Sequence, residues 1–316
     1  MMLNLIIATA LAAATPAAER PLTAPGPLAP LSATLLDVGK QGPVIVIIPG
    51  SGPTDRDGNN PLGVTASSYR LLAEGLAKRG ISTVRIDKRG MFGSKAAVAN
   101  GNDVTIAAYA ADAHAWAKAA RVATGAKCVW LLGHSEGSLV ALAAGQDRTD
   151  LCGVISVSGM GRKAGDVMRD QLKANPANAS ILAPALAALD SLDKGQKVNS
   201  KTLPGPLQGL FPDSVQPYLI NLMAQDPALL AGTLKLPLLI VQGDRDLQVK
   251  VADAKLLAAA QPKAMLVILP TVNHVLKVVT SDSPAANMAT YADPSLPIAP
   301  GVVDAIARFV GKRPGG

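Results

Sequence analysis

Aromatic residues make up only 3% of the 316 residues: two Trp, four Tyr and three Phe. A nucleic-acid interface built on base stacking needs more of them, so that class is set aside. Charge is sparse as well, at 17%. Lys and Arg outnumber Asp and Glu by 30 to 23, but they are scattered along the chain. That pattern describes a mildly basic surface and not a nucleic-acid-binding face. There are three His and two Cys, and no His/Cys group has zinc-ligand spacing, so no metal is expected. Neither G-x-x-x-x-G-K-[ST] nor G-x-G-x-x-G occurs, which argues against a bound nucleotide, and no cofactor is expected. What is plentiful is apolar mass, at 49%, enough to bury a sizeable core and to exclude global disorder.

No charge falls within Met1 to Thr15, and Leu3 to Ala14 is apolar and rich in small residues. Ala12-Ala13-Ala14 offers a cleavage site, so residues 1–18 are expected to be a signal peptide and the protein periplasmic or secreted. If the leader does not function, the location is cytoplasmic. The stretch is short for a bilayer span, and no stable membrane insertion is expected once it is removed. Pro16, Pro21, Pro25, Pro27 and Pro30 follow. Proline at that density holds neither a helix nor an inner strand, so residues 19–41 read as an extended lead-in plus a first strand.

From Gly42 onward, strands alternate with helices. Val44 to Ile48, Ile81 to Ile86, Val129 to Leu132, Val154 to Val157, Leu238 to Val241 and Leu266 to Leu269 are apolar runs of strand length. Such runs are buried on both faces, as in a parallel sheet. Tyr69 to Arg79, Ile106 to Val122, Ser135 to Ala144 and Val302 to Val310 read as helices. The alternation predicts an α/β fold with a mostly parallel sheet between two helical layers. Residues 161–232 lack a strong β run, and Pro-broken helical pieces at Ala164 to Asn175, Ile181 to Leu192 and Tyr218 to Gln225 predict an inserted helical cap. The core is then 42–160 and 233–316.

Gly133-His134-Ser135-Glu136-Gly137 ends a strand and opens a helix. A reversal that sharp needs glycines beside it, and it lifts Ser135 to a helix N-terminus, where negative charge is favoured. A serine hydroxyl needs a base. His134 is adjacent in a tight turn, where its side chain should point away from Ser135, and His114 lies inside an Ala-rich helix. His274 follows a strand at the edge that carries Ser135, so it is the expected base. An imidazole base needs a carboxylate to orient it. Asp244 and Asp246 both follow the strand Leu238 to Val241, and spacing does not separate them. The order Ser, Asp, His is that of α/β-hydrolases. Pro49-Gly50-Ser51-Gly52 follows the first strong strand, so the N–H groups of Ser51 and Glu136 are the expected oxyanion donors.

Gly50-Ser51-Gly52-Pro53-Thr54-Asp55-Arg56-Asp57-Gly58-Asn59, Asp87 to Ser94, Gly133 to Ser138, Ser214 to Leu219, Gln242 to Val249 and Asn273 to Lys277 together resemble bacterial serine esterases of the α/β-hydrolase superfamily. The resemblance implies cofactor-free hydrolysis of carboxylic esters, with a small-molecule ester as the expected substrate, and it implies Asp246 as the acid. Many such relatives carry an extra N-terminal domain where this chain has its Pro-rich lead-in. A peptidase or acyl thioesterase with the same three residues is the alternative, and a non-catalytic binding module is the alternative from another class. Asp55-Arg56-Asp57 either positions substrate or acts in catalysis, or, as the favoured reading, braces the oxyanion loop; Arg89 reads as structural, and Glu136 as a carboxylate favoured by the helix dipole that needs no direct chemical role. Cys128 and Cys152 each sit just before an apolar strand, and in this fold those strands should be neighbours whose starts lie at the edge opposite Ser135. Either a disulfide or two free thiols fits. The sequence leaves oligomeric state open.

Overall fold

The computed structural model describes residues 18–39 and 42–311. Its strands are β1 (Ala18–Ala24), β2 (Leu31–Asp37), β3 (Val44–Ile48), β4 (Ser82–Ile86), β5 (Val129–His134), β6 (Leu151–Val157), β7 (Leu238–Gly243) and β8 (Met265–Leu269). They form one sheet of order β1-β2-β4-β3-β5-β6-β7-β8. The six from β4 to β8 run parallel, and β1 and β2 add an antiparallel edge. This is the α/β-hydrolase fold.

The continuous apolar run of β3 reflects burial on both faces. Val44, Val46 and Ile48 join one core, while Ile45 and Ile47 join the other. Helices α1 (Ser68–Ala77) and α11 (Pro300–Gly311) cover the second face through Leu72, Leu76, Val302 and Ile306. The first face is covered by α2 (Ile106–Thr124), α3 (Glu136–Ala144) and α9 (Val251–Ala260). Helix α2 is delimited as its sequence suggests. Thr105 caps the N–H of Ala108 at 3.0 Å, and Gly125 ends the helix at φ 76°.

Between β6 and β7 lie α4 (Ala164–Ala174), α5 (Leu182–Asp193), α6 (Gly205–Leu210), α7 (Gln216–Met223) and α8 (Pro227–Thr233). Helices α4, α5 and α7 pack on one another, whereas α8 packs on α3 and α9. The helical excursion therefore rejoins the body within its last helix. A short α10 (Pro284–Ala289) follows β8.

Two expectations change. The Pro-rich lead-in is more than a tether, because Ala18 to Ala24 pair in register with Leu31 to Asp37. Pro21 is tolerated there because β1 is the outermost strand, where a missing N–H breaks no inner ladder. Cys152 lies inside β6 rather than before it, at a register shift against β5. There it is joined to Cys128, with the Cα atoms 5.2 Å apart. The expected leader lies outside the described residues, apart from Ala18, which opens β1. Among the described residues, no helix is long and apolar enough to cross a membrane.

Candidate active site

The turn after β5 is as tight as glycine permits. A Cβ on Gly133 would sit 1.9 Å from the carbonyl oxygen of Gly137, and one on Gly137 would sit 2.3 Å from that of Ile48. Only hydrogen fits at either position. Between them Ser135 adopts φ 55° and ψ −121°, a strained conformation for a side-chain-bearing residue. The strain presents its hydroxyl at the carboxyl edge of the sheet. Among the described residues, the N–H groups of Ser51 and Glu136 have no acceptor, and both residues border the cavity above Ser135.

His274 follows β8, and its Nδ1–H donates to Asp246 Oδ2 at 2.8 Å. Both side chains are buried. Asp246 also accepts from the N–H groups of Gln248 (2.8 Å) and Val249 (2.9 Å) and from Gln242 Nε2 (3.1 Å). Burial alone pushes this carboxyl up, but the nearby imidazole and these donors outweigh it and hold Asp246 below the usual range. Asp244 is used differently, since its Oδ1 accepts the N–H of Thr271 at 2.7 Å on the exposed side. With Nδ1 engaged, His274 has Nε2 left for chemistry. Ser135 and His274 line one cavity, yet no hydrogen bond joins them among the described residues. Such bonds often tighten only when substrate binds.

His134 is not idle. Its Nε2–H donates to the carbonyl of His274 at 2.8 Å, and the two rings lie 4.8 Å apart. A carbonyl only accepts, so the tautomer is fixed, and Nδ1 accepts from Tyr69 Oη–H at 2.9 Å. Tyr69 Oη in turn accepts the N–H of Gly50 at 3.1 Å. Burial, with His274 nearby, pushes His134 down to about 3, so the ring stays neutral. Burial likewise raises Tyr69, which stays protonated. One chain of hydrogen bonds thus fastens the loop after β3 to the backbone of His274.

The loop bearing Ser51 is braced on its other side. Arg56 donates to Asp87, Thr34 and Ser32, and Asp57 pairs with the buried Arg85. Lys88 Nζ donates to the carbonyl of Gly50 at 2.6 Å and lies 3.2 Å from Glu136 Oε1. Both Lys88 and Glu136 are buried. Arg89 holds Asp112 on α2, and His114 Nε2 donates to the carbonyl of Ala144 at 3.0 Å.

Set beside known proteins, residues 62–277 match the family model described as serine aminopeptidase, S33. The chain belongs to that family. A curated relative of this S33 member is esterase EstD of Thermotoga maritima, 27% identical over 241 residues. The alignment covers 74% of this chain and 54% of EstD, so the chain spans about half the length of that relative. Among solved structures, Est1E of Butyrivibrio proteoclasticus with ferulic acid bound superposes at TM-score 0.56 and 17% identity, covering 90% of this chain and 96% of that one. A puromycin-hydrolysing peptidase of Mycobacterium tuberculosis gives 0.56 at 18% identity, over 95% of this chain and 40% of that one. These likenesses show the fold.

Sequence reasoning missed the S33 member's buried positioning groups, Tyr69, His134 and Lys88. For Lys88 a signal existed. Asp87-Lys88-Arg89 directly follows a fully buried strand, at the edge where chemistry is built.

Proposed function

We propose that the chain is a serine hydrolase that cleaves carboxylic esters through an acyl-enzyme. Ser135 Oγ attacks the acyl carbonyl while His274 Nε2 takes its proton. Asp246 fixes the imidazole and stabilises its charged form. The oxyanion is received by the N–H groups of Ser51 and Glu136, a pair of donors worth about 3 kcal/mol each in comparable sites. The imidazolium then protonates the departing alcohol. Water, deprotonated by His274, releases the acid. The observation that carries the reading is the buried 2.8 Å bond from His274 to Asp246, in the wall of a cavity that also contains the strained Ser135.

The family description favours a second reading, an aminopeptidase. Such an enzyme needs a free carboxylate for the substrate ammonium. Among the described residues lining the two cavities at Ser135, Glu136 is the one acidic side chain, and Lys88 already holds it. The ester reading is therefore preferred. Export to the periplasm or beyond is part of the proposal, supported by the apolar leader and by a disulfide suited to an oxidising compartment.

The test compares turnover of p-nitrophenyl acetate, an aminoacyl anilide and an acyl-CoA by the parent and by Ser135→Ala. Ester turnover lost in Ser135→Ala supports the proposal. Anilide turnover well above ester turnover would replace it with the peptidase reading, and fluorophosphonate labelling that persists in Ser135→Ala would sink the choice of nucleophile.

A further inference from the structure

Two cavities of different size and lining meet at Ser135. The larger, about 600 Å³, lies under the helical excursion and is walled by apolar side chains such as Val104, Met160, Val167, Met168 and Leu222. The smaller, about 150 Å³, has a mixed lining of Thr54, Asn60 and Ser68 with Val64, Val275 and Tyr291. Ser51, Ser135 and Gln248 border both. The other reacting groups are divided between them: His274 borders only the small cavity, and Glu136 only the large one.

That division dictates which half of a substrate goes where. On acylation the Ser135 oxygen bonds to the acyl carbon, and the bond from that carbon to the alkoxy oxygen breaks. The proton that left Ser135 passes from His274 to the departing oxygen. The alcohol must therefore leave from the side where the imidazole stands. The acyl chain, attached to the same carbon, takes the opposite side.

Resting on the ester-hydrolase reading, we infer that this enzyme is specific for esters of a small alcohol with a bulky, apolar acyl group. The alcohol occupies the cavity of Thr54 and Asn60, and the acyl chain occupies the cavity of Val167 and Met168. An apolar wall rewards each added acyl methylene, whereas the small cavity penalises added alcohol bulk.

Ethyl octanoate and octyl acetate have the same atoms and differ only in which half is long. The parent should hydrolyse ethyl octanoate with kcat/KM at least roughly tenfold above that for octyl acetate. Met168→Trp, which fills the large cavity, should lower the ethyl octanoate value more than the octyl acetate value. Val64→Trp, at the small cavity, should do the reverse. Preference for octyl acetate, with Ser135 still labelled by a fluorophosphonate, overturns the partition and leaves the ester reading intact. Equal values for the two isomers in the parent do the same. No label and no turnover of either isomer overturns the ester reading, and the partition with it.

Discussion

Strands β5 and β6 are neighbours that end very differently. At their amino ends Cys128 and Cys152 are bonded to one another. At their carboxyl ends the chain passes through two left-handed serines, Ser135 at φ 55° and Ser158 at φ 50°. The Ser158 hydroxyl is buried without a partner among the described residues. One end is fastened and the other is held in conformations that cost energy. The contrast teaches that stability and chemistry are spatially separate here, so each should be removable without the other.

The largest expected effect is at the strained end. Ser135→Ala should lower ester turnover by on the order of 10⁴-fold or more while leaving the thermal midpoint within a degree or two. Asp246→Asn should lose a comparable factor, because an amide no longer holds the tautomer that His274 needs. Ser135→Gly should also be inactive, yet more stable by about 1 kcal/mol, since glycine adopts this backbone without strain. Denaturant titrations of the three variants check this. A large stability loss in Ser135→Ala would mean that the elbow holds the fold together, and the contrast would break.

The fastened end should behave in the opposite way. The bridge closes a sequence separation of 24 residues. Replacing both cysteines with serine should cost roughly 3 kcal/mol in the chain-entropy account, with kcat nearly unchanged. A reductant should mimic the double variant in the parent and do nothing to the variant itself. Unchanged stability on reduction, or activity lost in step with it, would refute the separation.

The pattern of what could be read from the sequence follows the same physics. Runs such as Val44 to Ile48 announced themselves because strands buried on two faces have no polar alternation to hide them. Strand β1 did not, because Pro21 and the exposure of most of its side chains erase that signal. Helix α9, rich in alanine, buries only Asp253, Ala254 and Leu257 and shows little contrast between its faces. At the candidate site, context and the scarcity of histidine single out Ser135 and His274, which line one cavity. Asp244 and Asp246 were not separable, because the difference lies in how one loop turns: the first faces Thr271 outside, the second His274 inside. The links from Tyr69 to His134 and from His134 to His274 span 65 and 140 residues, and no local pattern records them.

Acid should act on the chemical end and leave the bridge untouched. His134 is held neutral in the folded protein down to about pH 3, while in the unfolded chain it titrates near 6.5. Below 6.5 the unfolded state binds the extra proton, so stability falls as pH drops from 6.5 towards 3, by up to about 1.4 kcal/mol per pH unit from this residue. Above 6.5 the residue adds no pH dependence. His134→Gln should flatten that part of the curve, measured as the difference between parent and variant urea titrations. Parallel curves for the two proteins would show that His134 is not the group responsible. The disulfide contribution should stay constant over the same range.

The smallest effect has the opposite sign. Tyr218 lines the large cavity; its hydroxyl is buried and makes no well-formed hydrogen bond among the described residues, with Glu136 standing close by. Burial, with Glu136 nearby, raises it well above the ordinary tyrosine range, so it stays protonated. Its desolvation is poorly compensated in the free protein, much as the strain at Ser135 is. Tyr218→Phe should therefore be neutral or stabilising by up to about 1 kcal/mol, unlike most buried substitutions. It should change ethyl octanoate turnover by less than about threefold, because an aliphatic chain offers that hydroxyl nothing. Acyl groups carrying a hydrogen-bond acceptor should lose more from the substitution than aliphatic ones of equal length. If Tyr218→Phe were clearly destabilising, the hydroxyl would have to be satisfied in the free protein, and the chemical end of the sheet would carry one unmet group fewer than proposed.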